Sequence, residues 1–232
     1  MDFMDFGRAA LACYFTFIAV FYTAKLLALR ARTGVSHADY GGRGTPQYVG
    51  HRLFGIFRLS IWLLCVARVF APGIDRWLLP FSGMTGVGSL SAGLSLLFVS
   101  FGLTVYVHSY MGEAWRSGVP PGGPEQFIES GPFGRLRHPL FAAIAIGQTG
   151  FFLALPSAFS LACLAIGLLV LFVQARFEEE RMAAAFGPRW TDYAARVPAF
   201  IPRFGRAQPR AVAGPAATGN SSRDPHSAQD PS

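Results

Sequence analysis

Residues 139–175 contain no Asp, Glu, Lys or Arg, and residues 77–112 contain none either. The first of these runs, 37 residues long, is mostly apolar. One bilayer crossing takes about 20 residues, so such a run can cross twice. The composition agrees, with 52% hydrophobic and only 14% charged residues among 232, against about 25% charged in soluble domains. The chain therefore reads as an all-α integral membrane protein, and not as a soluble globular domain or a disordered chain.

Five spans follow. Residues 9–29 form the first, with only Lys25 near its end. They are too long for a signal h-region, lack an A-x-A site and follow Asp2 and Asp5, so the span is expected to be retained. Residues 53–71 form the second, with Arg58 and Arg68 near its ends, where long side chains can snorkel. Pro80, Gly83, Gly86 and Gly88 then predict a turn, and residues 89–111 a third span. Pro156 and Ser157 divide the 139–175 run into the two arms of a helical hairpin. Residues 203–232 are rich in Ala, Pro, Ser, Gly and Arg and are expected to be a disordered tail. The chain thus divides into N-terminal transmembrane helices (1–88), a core (89–202) and the tail, with no internal repeat.

The net charge is +7, and 19 of the 20 basic residues are Arg. With five spans, three Arg-rich segments (Arg30 to Arg58, Gly112 to His138 and Arg176 to Arg210) fall on one side and hold fifteen Arg. The other side holds Arg8, Arg68 and Arg76. The positive-inside rule then puts the N-terminus outside and the C-terminus in the cytoplasm. The basic balance is a membrane signature here, and no nucleic-acid partner is expected. Cys13, Cys65 and Cys163 are odd in number, lie in apolar runs and show no C-x-x-C spacing, which argues against a disulfide framework or a zinc site. No metal is expected, and nothing in the sequence sets an oligomeric state.

Polar residues concentrate in two segments flanking the hairpin. The first includes Met111-Gly112-Glu113, Trp115-Arg116 and then Gly131-Pro132-Phe133 to Arg137-His138-Pro139. The second includes Arg176, Glu178, Glu179 and Glu180, then Phe186-Gly187, Trp190, Tyr193 and Val197-Pro198. Met182, Phe186, Trp190, Tyr193 and Val197 recur every three or four residues, which predicts one amphipathic helix leaving the membrane, with Glu178 on the same stripe. Glu179 and Glu180 are spaced to pair with Arg176. Pro139 suits the first position of a helix, and a helix start carrying Arg137 and His138 can hold a carboxylate or phosphate. The hairpin returns Arg176 and the glutamates to that end. Two Arg, one His and two carboxylates in one pocket suit a zwitterionic ligand.

Taken in order, Gly131-Pro132-Phe133, Arg137-His138-Pro139, Glu178-Glu179, Phe186-Gly187 with Trp190 and Tyr193, and Val197-Pro198 to Ile201-Pro202 resemble the isoprenylcysteine carboxyl methyltransferase and phospholipid methyltransferase superfamily. The resemblance covers roughly residues 90–203, and the Met111–Val119 stretch resembles its bacterial branch. It implies a membrane-embedded methyltransferase that uses S-adenosylmethionine without a Rossmann domain, in the cytoplasmic membrane of a bacterium, with the cofactor site facing the cytoplasm. By position, Arg137, His138 and Pro139 would meet the cofactor's carboxylate side. Glu178 or Glu179 would meet its ammonium or ribose. Arg176, Phe141, the hairpin and the aromatic stripe would complete the site. The chain departs from the family pattern at Phe141, Ala143 and Gly134, where the family often has Tyr, Gly and Arg; Phe141 removes a hydroxyl.

Methyl transfer from a sulfonium is an in-line displacement that needs positioning and exclusion of water. A carboxylate or thiolate acceptor needs an orienting cation, for which Arg116 is the candidate. An amine acceptor needs a base, for which Glu113 or His108 would serve, although His108 near a helix end reads as an interfacial side chain. The expected acceptor is lipophilic or a small membrane-permeant molecule that enters from the bilayer. Two alternatives stay open. One is an NADPH-dependent sterol-type reductase of related fold. The other is a non-enzymatic membrane protein that kept a degenerate methyltransferase scaffold, for which Phe141 and Ala143 speak.

Overall fold

A computed structural model describes residues 2–34, 42, 44–112 and 126–202. The described residues form an all-α membrane fold of six helices: α1 (Phe3–Thr33), α2 (Pro46–Phe70), α3 (Val87–Met111), α4 (Pro139–Ala154), α5 (Ala158–Phe186) and α6 (Pro188–Arg196). Among the described residues, α1, α2, α3 and α5 are long and apolar enough to cross a bilayer. α4 is the short arm of the expected hairpin. Its 16 residues rise about 24 Å, less than the hydrocarbon thickness, because Pro139 opens it and Pro156 follows its end. Helices α1 and α2 start six or seven residues before the apolar runs do. That shift moves Arg58 from an expected helix end to the middle of α2.

Local chemistry sets the boundaries. Thr45 caps α2 by accepting from the Tyr48 amide, and Pro46 takes the first helical position. Ser157 and Ser160 form a reciprocal capping box at the start of α5. At that same end of the bundle the hairpin turn is tied to the segment before α3: Phe81 N–H donates to Pro156 O (2.9 Å) and Ala158 N–H to Leu79 O (3.0 Å). Asp75 bridges Arg8 of α1 and Arg68 of α2 there. Without Asp75 the buried Arg68 would lose this anion, whereas Arg8 also pairs with Asp5 at 2.7 Å.

Small residues govern how closely α3 and α4 approach. A Cβ on Gly93 would lie 2.3 Å from the Ala154 amide nitrogen, and one on Gly150 would lie 2.8 Å from Gly93 O. Backbone-to-backbone packing of this kind is how membrane helices associate without a hydrophobic driving force. Leu11, Cys65, Leu97, Phe151 and Cys163 fill the space between α1, α2, α3, α4 and α5.

The exit from the membrane differs from the expected single helix. α5 runs to Phe186, breaks at Gly187 and resumes as α6 at Pro188. Gly187 has φ 52°, a left-handed conformation that a residue with a Cβ adopts only with strain, and Pro188 has no N–H to continue the ladder. The apolar stripe nevertheless converges, because the kink folds α6 back. Trp190, Tyr193 and Val197 pack with Met182, Phe186 and Phe127. The Tyr193 hydroxyl donates to Phe133 O at 2.7 Å. The tail at 203–232 lies outside the described residues.

Candidate functional site

Pro139 occupies the first turn of α4, and His138 is the residue before it. The His138 imidazole stacks on Phe141 (5.5 Å between centroids) and on Phe200 (5.4 Å). Its Nε2 lies 3.1 Å from Glu179 Oε1 and its Nδ1 3.4 Å from Glu178 Oε2. The same Glu179 oxygen receives Arg137 Nη2 at 2.9 Å. Arg137 Nη1 donates to Ala194 O of α6. The backbone N–H groups of Arg137 and His138 donate to Pro198 O (2.8 Å) and Ala199 O (3.1 Å). The segment after α6 is therefore laid along the start of α4. Burial by itself would lower the His138 pKa, but hydrogen bonds and charge from Glu178 and Glu179 outweigh it and hold the imidazole above its ordinary value.

This geometry divides the pocket read from the sequence. Arg137, His138 and Glu179 are brought together, but they bond to one another and not toward a common space. Glu179 pairs with Arg137 and His138 across the hairpin, in place of the expected i, i+3 partner Arg176. The Arg176 guanidinium lies over the Phe172 ring, 5.1 Å from its centroid. Glu178 is the member of the group that both touches His138 and faces a cavity. Arg116, Glu113 and Trp115 lie outside the described residues.

The cavity measures about 660 Å³ and is lined by α1, α2, α3, α4 and α5, within the range of small-molecule pockets. Along α5 its lining runs from Cys163 to Arg181, a rise of about 27 Å. Gln174, Glu178 and Arg181 lie along one face of α5 at i, i+4 and i+7, with Phe177 beside them and Phe141 on α4 opposite. Farther along, Phe15, Phe57, Phe101 and Phe151 make the lining apolar. Of the residues expected at a cofactor site, Phe141 and Glu178 line this space. Arg181 and Gln174 were missed, although their helical spacing from Glu178 is visible in the sequence. His108, expected as an interfacial side chain, lies in the last turn of α3, is 2% exposed and lines the cavity. Among the described residues no group of three or more His, Cys, Asp or Glu is placed to hold a metal ion.

Comparison with known proteins bears on this arrangement. Residues 89–189, from the start of α3 into α6, match the phospholipid methyltransferase family. The chain is 26% identical over 170 residues to the cobalt-zinc-cadmium resistance protein CzcN of Cupriavidus metallidurans, which covers 73% of this chain and 72% of that protein. It is 25% identical over 155 residues to the nickel-cobalt-cadmium resistance protein NccN of Alcaligenes xylosoxydans xylosoxydans, which covers 66% of each. No solved structure matches the chain. The matched region, which is less than half of the chain, holds α3, the α4–α5 hairpin, the Arg137–His138–Glu179 cluster and Glu178.

Proposed function

We propose that the protein is an S-adenosylmethionine-dependent methyltransferase of the bacterial cytoplasmic membrane that acts on a lipophilic or small membrane-permeant acceptor. The observation that carries this reading is the cavity, which has charged residues at one end and aromatic, apolar walls along the rest. A polar, zwitterionic methyl donor and a greasy acceptor need such a space in common.

The residues present fit the donor. Glu178 offers a carboxylate to its ammonium, and Arg181, one turn away, a guanidinium to its carboxylate. Phe141 and Phe177 offer ring faces to a sulfonium. When bound, the donor supplies an electrophilic methyl group. The protein's part is to hold, orient and exclude water. Arg137, His138 and Glu179 keep the start of α4 against α5 and so set the position of Glu178. Arg116 is proposed as the cation that orients an anionic acceptor. The charge asymmetry between the two ends supports an orientation with the N-terminus outside and the Glu178 end in the cytoplasm.

The test is calorimetric titration of detergent-purified, folded protein with S-adenosylmethionine and, in parallel, with NADPH. Saturable binding of S-adenosylmethionine with no binding of NADPH is expected. Binding of NADPH alone would move the protein to the reductases. Binding of neither would leave a scaffold without this chemistry.

A further inference from the structure

α3 has no charged residue, yet it carries Ser100, Thr104 and His108 at i, i+4 and i+8, on one face. All three are buried, and all three line the cavity that Glu178 also lines. Polar side chains inside a membrane bundle are costly and mark functional paths. The stripe is surrounded by further polar groups. Tyr22 of α1 presents its ring to His108 edge-on, 5.6 Å between centroids. Arg58, in the middle of α2, lies over the Tyr22 ring at 5.0 Å, and Lys25 of α1 is near enough to act on His108 through its charge.

The charge on these walls selects among acceptors. Arg52, Arg58 and Arg181 line the cavity, whereas Glu178 is the acidic residue that does so among the described residues. An ammonium-bearing acceptor would meet mostly like charge. A carboxylate is already ionised near neutral pH and leaves His108 nothing to do. A thiol or a phenol, with ordinary pKa values of about 8.5 and 10, arrives protonated and must lose its proton to attack, and an imidazole nitrogen at the acceptor is placed to take it.

Resting on the methyl-transfer reading, we propose that Ser100, Thr104 and His108 form the acceptor site, that the acceptor is a lipophilic thiol or phenol, and that His108 is its general base. The acceptor's S–H or O–H bond breaks and its proton passes to an imidazole nitrogen of His108. The freed electron pair forms the new bond to the methyl carbon as the methyl–sulfur bond breaks, and the donor leaves as a neutral thioether. Positive charge passes from sulfonium to imidazolium, so net charge is conserved. Phe15, Phe57, Phe101 and Phe151 accommodate the apolar tail.

Two measurements test this on the full chain. The first needs no methyl donor: an alkylated nitrophenol, coloured as its phenolate, is titrated into wild type, His108→Ala and His108→Gln. Lys25 and Arg58 act on the dye in all three proteins, so the difference isolates His108. Wild type is expected to bind the dye with a larger ionised fraction than either variant at the same pH. Equal spectra would overturn the assignment. The second follows methylation of decanethiol at saturating S-adenosylmethionine. Replacing His108 by Ala is expected to lower kcat by about 10²-fold or more, to leave donor affinity unchanged and to be rescued by added imidazole. Wild type that binds the donor but methylates neither decanethiol nor the dye would overturn this inference alone, and wild type that binds no donor would overturn the methyl-transfer reading beneath it.

Discussion

Glu178 and Glu179 are adjacent in sequence, but the structure gives them different work, and replacing each by Gln separates the two roles. Glu179 Oε1 takes both Arg137 Nη2 and His138 Nε2, at 2.9 and 3.1 Å. The side chains of Arg137 and Glu179 are 18% exposed and that of His138 is 5% exposed. Glu179→Gln leaves the Arg137 guanidinium without its anion and the His138 imidazole with only its 3.4 Å contact to Glu178. Breaking a buried pair costs about 3–5 kcal/mol and an exposed one about 1 or less, so this mostly buried site is expected to lose about 2–3 kcal/mol. Glu178 makes one 3.4 Å contact and is 32% exposed, so Glu178→Gln is expected to cost roughly 1 kcal/mol or less. Binding should show the opposite order: Glu178→Gln weakens S-adenosylmethionine at least tenfold (about 1.4 kcal/mol), while folded Glu179→Gln binds within a few-fold of wild type. The assay is SDS-driven unfolding in mixed micelles, read by tryptophan fluorescence, beside calorimetric titration of the same preparations. Equal destabilisation by the two changes, or loss of donor binding in Glu179→Gln alone, would refute the division.

The raised pKa of His138 makes stability depend on pH. Below the ordinary value of about 6.5 the imidazole is charged in the folded and unfolded states alike, and its attraction to Glu178 and Glu179 stabilises fully. As pH climbs from there to the raised folded value, that stabilisation fades, so unfolding should become easier over this window and His138→Ala should flatten the slope; identical slopes would remove His138 as the cause. Gly93→Ala should reach or exceed the upper end of the roughly 1–3 kcal/mol typical of overpacking, because its Cβ would fall 2.3 Å from the Ala154 nitrogen. Gly102→Ala, with open space around its Cβ, should be neutral or slightly stabilising in the same unfolding assay, and a similar loss at both positions would contradict the close α3–α4 contact.

The architecture could be read from the chain because bilayer chemistry is local. Each span must supply its own apolar side chains and satisfy its own backbone hydrogen bonds, so charge-free runs, a Pro156-Ser157 divider and the Pro139 start marked the helices directly. The motif set around Arg137, Glu178, Trp190 and Tyr193 likewise pointed to the methyltransferase superfamily. The break at Gly187-Pro188 was visible as a pair of residues, but the periodic stripe across it suggested a continuous helix. The stripe persists because the kink returns α6 onto Phe127 and Met182.

Pairing among charges could not be read this way. Spacing alone assigned Glu179 to Arg176, one turn away. The hairpin instead brings Arg137 and His138 to Glu179, since a partly buried carboxylate gains more from two donors across a helix contact than from one solvated neighbour. Which glutamate faces a cavity, and whether His108 sits at an interface or inside a chamber, depends on how α1, α2 and α5 close around α3 and α4. Helix formation follows from neighbours along the chain. The division of charged residues between internal pairs and open walls follows from packing between helices, which the tertiary structure alone decides.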